Sequence, residues 1–387
     1  MELITAAYVH IPFCRRRCFY CDFPVSVLGD RRDGSNAQSV GQYVEMLLAE
    51  IRTTAAQSLQ PSPLQTVFFG GGTPSLLTPE QLAQILTCLD RHFGIAPNAE
   101  CSMEIDPGTF DRTKLQAFKD LGINRFSLGI QAFQDELLQA CGRSHTVAES
   151  FQAIEQLAQV GVRNWSLDLI SGLPQQTLAM WQASLEQAIA LGPSHLSCYD
   201  LVLEPMTAFG KRYSPGVSPL PEESLTAQMY RMAQARLTAA GYGHYEISNY
   251  ARAGFTCRHN LTYWQNQPYY GFGMGAASYT QGQRFSRPRK RVDYYPWVAQ
   301  GCPIETPPLD ESDRLLETLM LGLRLAKGID LGRFDIPIRS QIQTTLAPDL
   351  ATGYVWLRDN HLALSDPEGF LFSNTIIARL FEQFESD

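Results

Sequence analysis

The sequence predicts an α/β fold: a partial, TIM-like (β/α)6 barrel followed by a smaller C-terminal α+β domain, of winged-helix type. Three observations predict it. From Ala6 onward, short runs rich in β-branched and aromatic residues alternate with longer stretches of helical period, the pattern of repeated strand–helix units around a parallel sheet. These units number six, fewer than the eight that close a barrel, so the sheet is expected to be open. After about Pro205 the alternation fades into a Pro- and Gly-containing connection and the rhythm changes.

The strands expected are Ala6 to Ile11, Thr66 to Phe69, Glu100 to Ile105, Arg125 to Leu128, Trp165 to Leu169 and Leu196 to Leu201. Apolar stripes of helical period lie between them at Val40 to Ser58, Pro79 to His92, Arg112 to Leu121, Val147 to Val160 and Leu178 to Leu191. Thr78 and Pro79 read as N-cap and first-turn residues with Gln81 in capping-box position, and Gly122, Gly161 and Gly192 follow helix ends. A helix from Glu222 to Ala240 closes the first domain, expected over residues 1–240. An aromatic-rich segment occupies 241–305, and a small C-terminal domain, opening with a helix from Asp310 through Ala326, occupies 306–387.

Composition narrows the function classes. With 31 Lys and Arg against 39 Asp and Glu in 387 residues, the formal net charge is −8, which argues against an extended nucleic-acid footprint or an anionic membrane surface as partner. No apolar run approaches the roughly 18 residues of a membrane span, and no secretory leader is recognisable, so a cytoplasmic protein is expected. Nine cysteines, an odd number scattered along the chain, do not suggest a disulfide framework. Cys88, Cys101, Cys141, Cys198 and Cys302 lie in or beside apolar stretches and read as small thiols without a special role.

Three cysteines do cluster. Cys14, Cys18 and Cys21, spaced C-x3-C-x2-C, follow the first strand within one tight loop. Iron–sulfur cubes are normally held by four thiolates, so three leave one iron with an open position, the requirement for chemistry at a metal. A structural zinc would want a fourth nearby Cys or His, and His10 lies on the strand side of Pro12. Gly70-Gly71-Gly72-Thr73-Pro74 follows the second strand, where glycines expose backbone and permit close ligand approach. Glu104 ends the third strand and Gln131 follows the fourth, where a sheet core would prefer apolar residues. With Arg143 and Asp168 they place polar residues at successive strand ends, each taken alone an ordinary surface or loop residue, together a set that is hard to dismiss.

The cysteine spacing, with Tyr20 beside the last cysteine, is similar to the radical S-adenosylmethionine superfamily. More narrowly, Tyr8-Val-His10-Ile-Pro-Phe-Cys14, Asn124 through Gln131, Gly142-Arg143-Ser-His145 and Asp168 through Pro174 resemble the oxygen-independent coproporphyrinogen III oxidase group, over most of the chain. The resemblance implies a [4Fe-4S] cluster on Cys14, Cys18 and Cys21. It also implies S-adenosylmethionine in contact with Tyr8, Gly71, Gly72, Thr73, Glu104, Gln131, Arg143 and Asp168. Two departures point away from the oxidases: Phe23 stands where they carry a fourth cysteine, and Cys14 lies close to the start of the chain rather than behind a long extension. His259-Asn260-Leu-Thr-Tyr263-Trp264 is instead similar to a signature of the group's haem-chaperone branch, implicated there in haem binding.

Imidazole is a natural axial ligand of haem iron; Asn260 would orient the ring, and Tyr263 and Trp264 would stack on the macrocycle. By residue type alone, His259 reads equally as a satisfied structural histidine among core aromatics. Cys257 fits no haem attachment motif, and Arg284, Arg287, Arg289, Lys290 and Arg291 read more readily as a solvated loop than as propionate partners. Two functions are thus expected to compete. One is a chaperone that binds haem near His259 and passes it to an acceptor protein. The other is an enzyme that draws an electron from a donor, cleaves S-adenosylmethionine and decarboxylates coproporphyrinogen propionates to vinyl groups.

Overall fold

The computed structural model describes residues 3–30, 33–35, 37–58 and 62–384. All six expected parallel strands form: β1 (Ala6–Ile11), β2 (Leu64–Gly71), β3 (Ile95–Ile105), β4 (Arg125–Gln131), β5 (Trp165–Ser171) and β6 (His195–Asp200). Strand β3 starts five residues earlier than its β-formers suggest. Pro97 disguises its beginning, and a register shift between Leu64 and Thr66 of β2 accommodates it.

The sheet has nine strands, because residues 241–305 lengthen it at both edges. Strands β7 (Gly243–Glu246) and β8 (Asn249–Ala251) add antiparallel beyond β6, while β9 (Tyr270–Phe272) adds parallel to β1. The order is β9-β1-β2-β3-β4-β5-β6-β8-β7. At three or four residues each, the added strands are too short to leave a periodic signal.

Alternation along β1 to β6 gives the sheet two unlike faces. One carries Val9, Ile11, Val67, Phe69, Met103, Phe126, Leu128, Leu167 and Leu169, all within one apolar cluster with the surrounding helices. Those helices are α1 (Gln38–Gln57), α2 (Pro79–Phe93), α3 (Arg112–Asp120), α4 (Val147–Gln159), α5 (Leu178–Leu191) and α6 (Glu223–Ala239). The other face is polar: pairing lines up His10, Gly70, Glu104, Ser127, Ser166 and His195 across the sheet, and Tyr8, Phe68, Ser102 and Arg125 in the row below.

Helix punctuation follows the sequence. Thr78 and Gln81 form a reciprocal capping box on α2, Thr146 and Glu149 form another on α4, and Gly192 ends α5 in a left-handed conformation. The short helix α7 (Arg258–Trp264) lies against the inner face near the N-terminal ends of β2 and β3. After α8 (Arg291–Ala299), the C-terminal part packs helices about an antiparallel three-stranded sheet of Ile329–Asp330, His361–Leu364 and Val355–Arg358, with its own apolar cluster. Among the described residues no helix is long and apolar enough to cross a membrane.

Candidate functional site

The loop after β1 folds back on itself. Phe13–Cys14 pairs with Ser26–Val27, Ser26 N–H donates to Pro12 O at 2.6 Å, and Cys21 N–H donates to Cys18 O at 3.2 Å. This turn holds Cys14, Cys18 and Cys21 half-buried at the edge of a cavity of about 630 Å3. Gly71, Gly72, Thr73, Glu104, Asp106, Gln131, Arg143 and Asp168 line the same cavity, at the C-terminal ends of the strands, where parallel sheets place their ligands.

The glycine turn lies hard against the cysteine loop. Gly72 and Thr73 N–H donate to Ile11 O and Phe13 O at 3.0 and 2.7 Å. A Cβ on Gly72 would sit 2.6 Å from Phe13 O, and one on Gly71, at φ +104°, would collide with the His10 ring. Only glycine lets these two loops meet. Gln131 also adopts positive φ, at +72°, where a register shift interrupts the pairing of β4 with β5 and turns its side chain into the cavity.

The electrostatics divide the cavity. On the strand side, burial and then the neighbouring Asp168 push the Glu104 carboxyl up to about 8, although it accepts from Gly71 N–H at 3.0 Å. Burial likewise raises Asp168, against hydrogen bonds from serine hydroxyls that favour its charged form; Ser127 and Ser166 donate to it at 3.1 Å. On the cysteine side stand arginines. Arg143 pairs with Asp106 at 2.7 Å, donates to Gly129 O at 2.7 Å and reaches Cys18 Sγ at 3.5 Å.

Among the described residues, three buried arginine donors here have no protein acceptor: Arg15 Nε and Nη1, and Arg143 Nε. Buried guanidinium N–H groups are rarely left orphaned, so they mark where an acceptor belongs. Three thiols beside unpartnered cationic donors and a side-chain-free turn fit an anionic iron–sulfur cube with a nucleoside ligand next to it.

Of the residues singled out in the sequence, the three cysteines, Gly71, Gly72, Thr73, Glu104, Gln131, Arg143 and Asp168 come together here; Tyr8 and His259 do not line the cavity. Tyr8 lies a layer below, its hydroxyl 3.0 Å from His10 Nδ1 and its ring stacked on Phe68. His259 lies lower still, fully buried, its centroid 5.2 Å from that of Phe68. Its Nδ1 is hydrogen-bonded to Thr66 Oγ1 at 2.8 Å and its Nε2 to the Tyr263 hydroxyl at 2.7 Å. Thr66 and Tyr263, not Asn260, therefore fix the ring, and Tyr263 packs edge-on against Tyr269 rather than offering a free face. The Glu100 carboxylate anchors α7, accepting from the N–H groups of Arg258 and His259 at 3.0 and 3.1 Å.

The basic run is solvated only in part: Arg289 and Lys290 are exposed, whereas Arg284 and Arg287 are not. Arg287 is 3% exposed and ion-paired with Glu50 at 2.7 Å, Arg284 pairs with Glu317, and Arg289 reaches Asp22 beside Cys21. Sequence reasoning missed Asp106, Arg15, Tyr199 and Asp200 as cavity residues. Asp106, directly after Glu104 and Ile105, and Asp200, ending β6, carried the available signal: acidic residues at strand ends.

The model of the radical SAM superfamily matches residues 8–188, and that of the HemN C-terminal domain matches residues 309–372. The chain is 51% identical to a heme chaperone HemW of Synechocystis sp., an alignment covering 99% of this chain and 98% of that one. It is 37% identical to the heme chaperone HemW of Bacillus subtilis over 86% of each chain, and 39% identical to that of Escherichia coli over 70% of this chain and 68% of the other. Among solved structures, the radical SAM coproporphyrinogen III oxidase HemN of Escherichia coli shares the fold, with a TM-score of 0.82 at 22% identity over 99% of this chain and 90% of that one. A partial radical SAM barrel with a C-terminal domain is thus the fold expected from the sequence. By its identity to these relatives, one of them over nearly its whole length, the chain belongs to the HemW family of the radical SAM superfamily.

Proposed function

We propose that the protein is a haem chaperone of the radical SAM type, which binds a [4Fe-4S] cluster and S-adenosylmethionine in the cavity and delivers haem to an acceptor protein. The observation that carries this reading is the convergence of three thiols with unpartnered buried arginine donors at the strand ends, in a chain 51% identical to a heme chaperone over 99% of its length. Cys14, Cys18 and Cys21 would hold the cluster, which when bound supplies an iron with a free coordination position.

The chain's own groups would then position the nucleoside. The turn Gly71-Gly72-Thr73 takes its amino end, and Glu104, Gln131 and Asp168 its ribose hydroxyls. The open Nε of Arg143 takes its carboxylate. Tyr8 acts from beneath, by holding His10 against the glycine turn.

Haem is cargo. His259 is the proposed axial ligand: burial pushes its imidazole down to about 3, so it is held in the neutral form that binds iron. Because both ring nitrogens are engaged, either Thr66 or Tyr263 would have to release the ring before it could bind iron.

The test is a paired assay on oxygen-free protein with reconstituted cluster: haem uptake by absorbance, and protoporphyrinogen formation from coproporphyrinogen. Haem uptake without vinyl product is expected; vinyl product would overturn the chaperone reading. Replacing the three cysteines should abolish the cluster. His259→Ala should weaken haem uptake with cluster absorbance intact, and unchanged haem occupancy would refute the ligand assignment.

A further inference from the structure

We propose that Arg143 sets the reduction potential of the cluster by donating a charge-assisted hydrogen bond to the Cys18 sulfur, and that Asp106 is the positioning residue that aims it. The inference deepens the function proposed above and rests on Cys14, Cys18 and Cys21 holding the cluster. The geometry points to it at three successive residues. Cys141 O accepts from Phe19 N–H at 2.9 Å, Gly142 lies against the Phe19 ring at φ +71°, and Arg143 Nη1 reaches Cys18 Sγ at 3.5 Å. The segment after β4 is thus docked on the cysteine loop, with its guanidinium on one ligand sulfur.

That guanidinium has little freedom. Its side chain is 7% exposed, and Nη2 is shared between the Asp106 carboxylate and Gly129 O, each at 2.7 Å. The Asp106 backbone is fixed in turn by donation to Ser75 Oγ at 3.3 Å. A donor held this rigidly is pre-organised toward the sulfur. In a partly water-excluded site a fixed positive charge beside a thiolate favours the more electron-rich state, and hydrogen bonds to ligand sulfurs are among the factors that set iron–sulfur potentials. On reduction one electron passes from an external reductant to the cluster, and no bond is made or broken.

The experiment is a potentiometric titration of reconstituted protein without S-adenosylmethionine, with dithionite as reductant, followed by the spin signal of the reduced cluster, in wild type, Arg143→Gln and Arg143→Lys. Iron and sulfide content is measured first. If wild type assembles no cluster, the proposed function fails and not this inference alone. With cluster content matched, Arg143→Gln should move the midpoint to more negative potential, and Arg143→Lys, which keeps the charge but cannot span Asp106 and Cys18, should move it the same way by less. Should Gln prevent loading, the Lys variant decides alone. A midpoint equal to wild type in a loaded variant would overturn the proposal, because a residue that merely braces the loop changes occupancy and leaves the potential where it was.

Discussion

On β2, Val67 and Phe69 face the helices and are completely buried among apolar neighbours, whereas Thr66 and Gly70 face inward, Thr66 holding His259 and Gly70 leaving room for Tyr8 and the Glu104 carboxyl. The two faces obey different rules. Outward residues are fixed by burial, worth about 25 cal/mol for each Å2 of apolar surface removed from water, and many combinations of size would serve. Inward residues are mostly polar and buried, so each polar group needs a particular partner. Among the described residues, Arg143 Nε and Arg15 Nε and Nη1 have no acceptor, and Glu104 holds its proton far above the usual carboxylate range. One face makes the fold stable; the other concentrates polar groups whose partners are specific.

The comparison breaks most visibly if an outward substitution disturbs the cavity. Phe126 on β4 is 1% exposed within the apolar cluster. Phe126→Ala should lower the stability to urea unfolding by roughly 3–5 kcal/mol, while cluster content and S-adenosylmethionine affinity, measured on the folded fraction, stay at wild-type levels. A matching loss of affinity would mean that the two faces are not separable.

How much could be read beforehand follows the same division. The outward face was legible because its signal is local: apolar residues recur at strand and helix spacing, and Thr78, Gln81 and Gly192 punctuate them within a few positions. The cysteine loop and the glycine turn were legible for the same reason, each being a short contiguous motif. The inward partnerships were not. Thr66 meets His259 across 193 positions, and on the helix side Glu50 of α1 meets Arg287 across 237, and no local pattern encodes either pairing. So the sequence offered His259 as a candidate ligand without showing the two hydrogen bonds that occupy it, and Arg284 and Arg287 looked solvated because their carboxylates, Glu317 and Glu50, lie in other elements.

Glu104 tests the inward face in the opposite sense. Burial, Asp168 and Asp106 raise its proton affinity, while Gly71 N–H and Arg125 oppose them, and the Tyr8 hydroxyl lies within its field from β1. A carboxyl with a pKa raised to about 8 stabilises the fold fully below its ordinary value, and that contribution is lost as pH rises through about 8. Wild-type stability should therefore fall between pH 6 and pH 9, and Glu104→Gln should flatten the decline, exceeding wild type at pH 9 by on the order of a few kcal/mol. The same variant should bind S-adenosylmethionine more weakly by calorimetry. A variant that neither gains stability at high pH nor loses affinity would show that Glu104 faces no ligand.

Thr66→Val is a smaller change with a cleaner meaning, because it keeps the side chain's shape and removes one hydroxyl. It leaves Nδ1 of the buried His259 without a partner, a cost of about 1–3 kcal/mol. Urea unfolding would measure it. No loss would indicate that the imidazole is already free to turn, and would favour ready access of iron to it.

The smallest effect is expected outside both faces, at the start of α2. Thr78 Oγ1 accepts from Gln81 N–H at 3.3 Å while the Gln81 side chain accepts from Thr78 N–H at 2.9 Å, so the pair satisfies two donors that the helix itself leaves open. Thr78→Ala removes one of these bonds and should cost about 1 kcal/mol. The cap follows the glycine turn by only a few residues, with Pro74–Leu76 between them as a single tight turn whose Leu76 and Leu77 are buried. If that apolar turn insulates the cavity from the helix end, cluster loading and S-adenosylmethionine affinity will not change. If instead affinity falls along with stability, the glycine turn is held by α2 as well as by β1, and helix packing reaches further into the site than the two-face division allows.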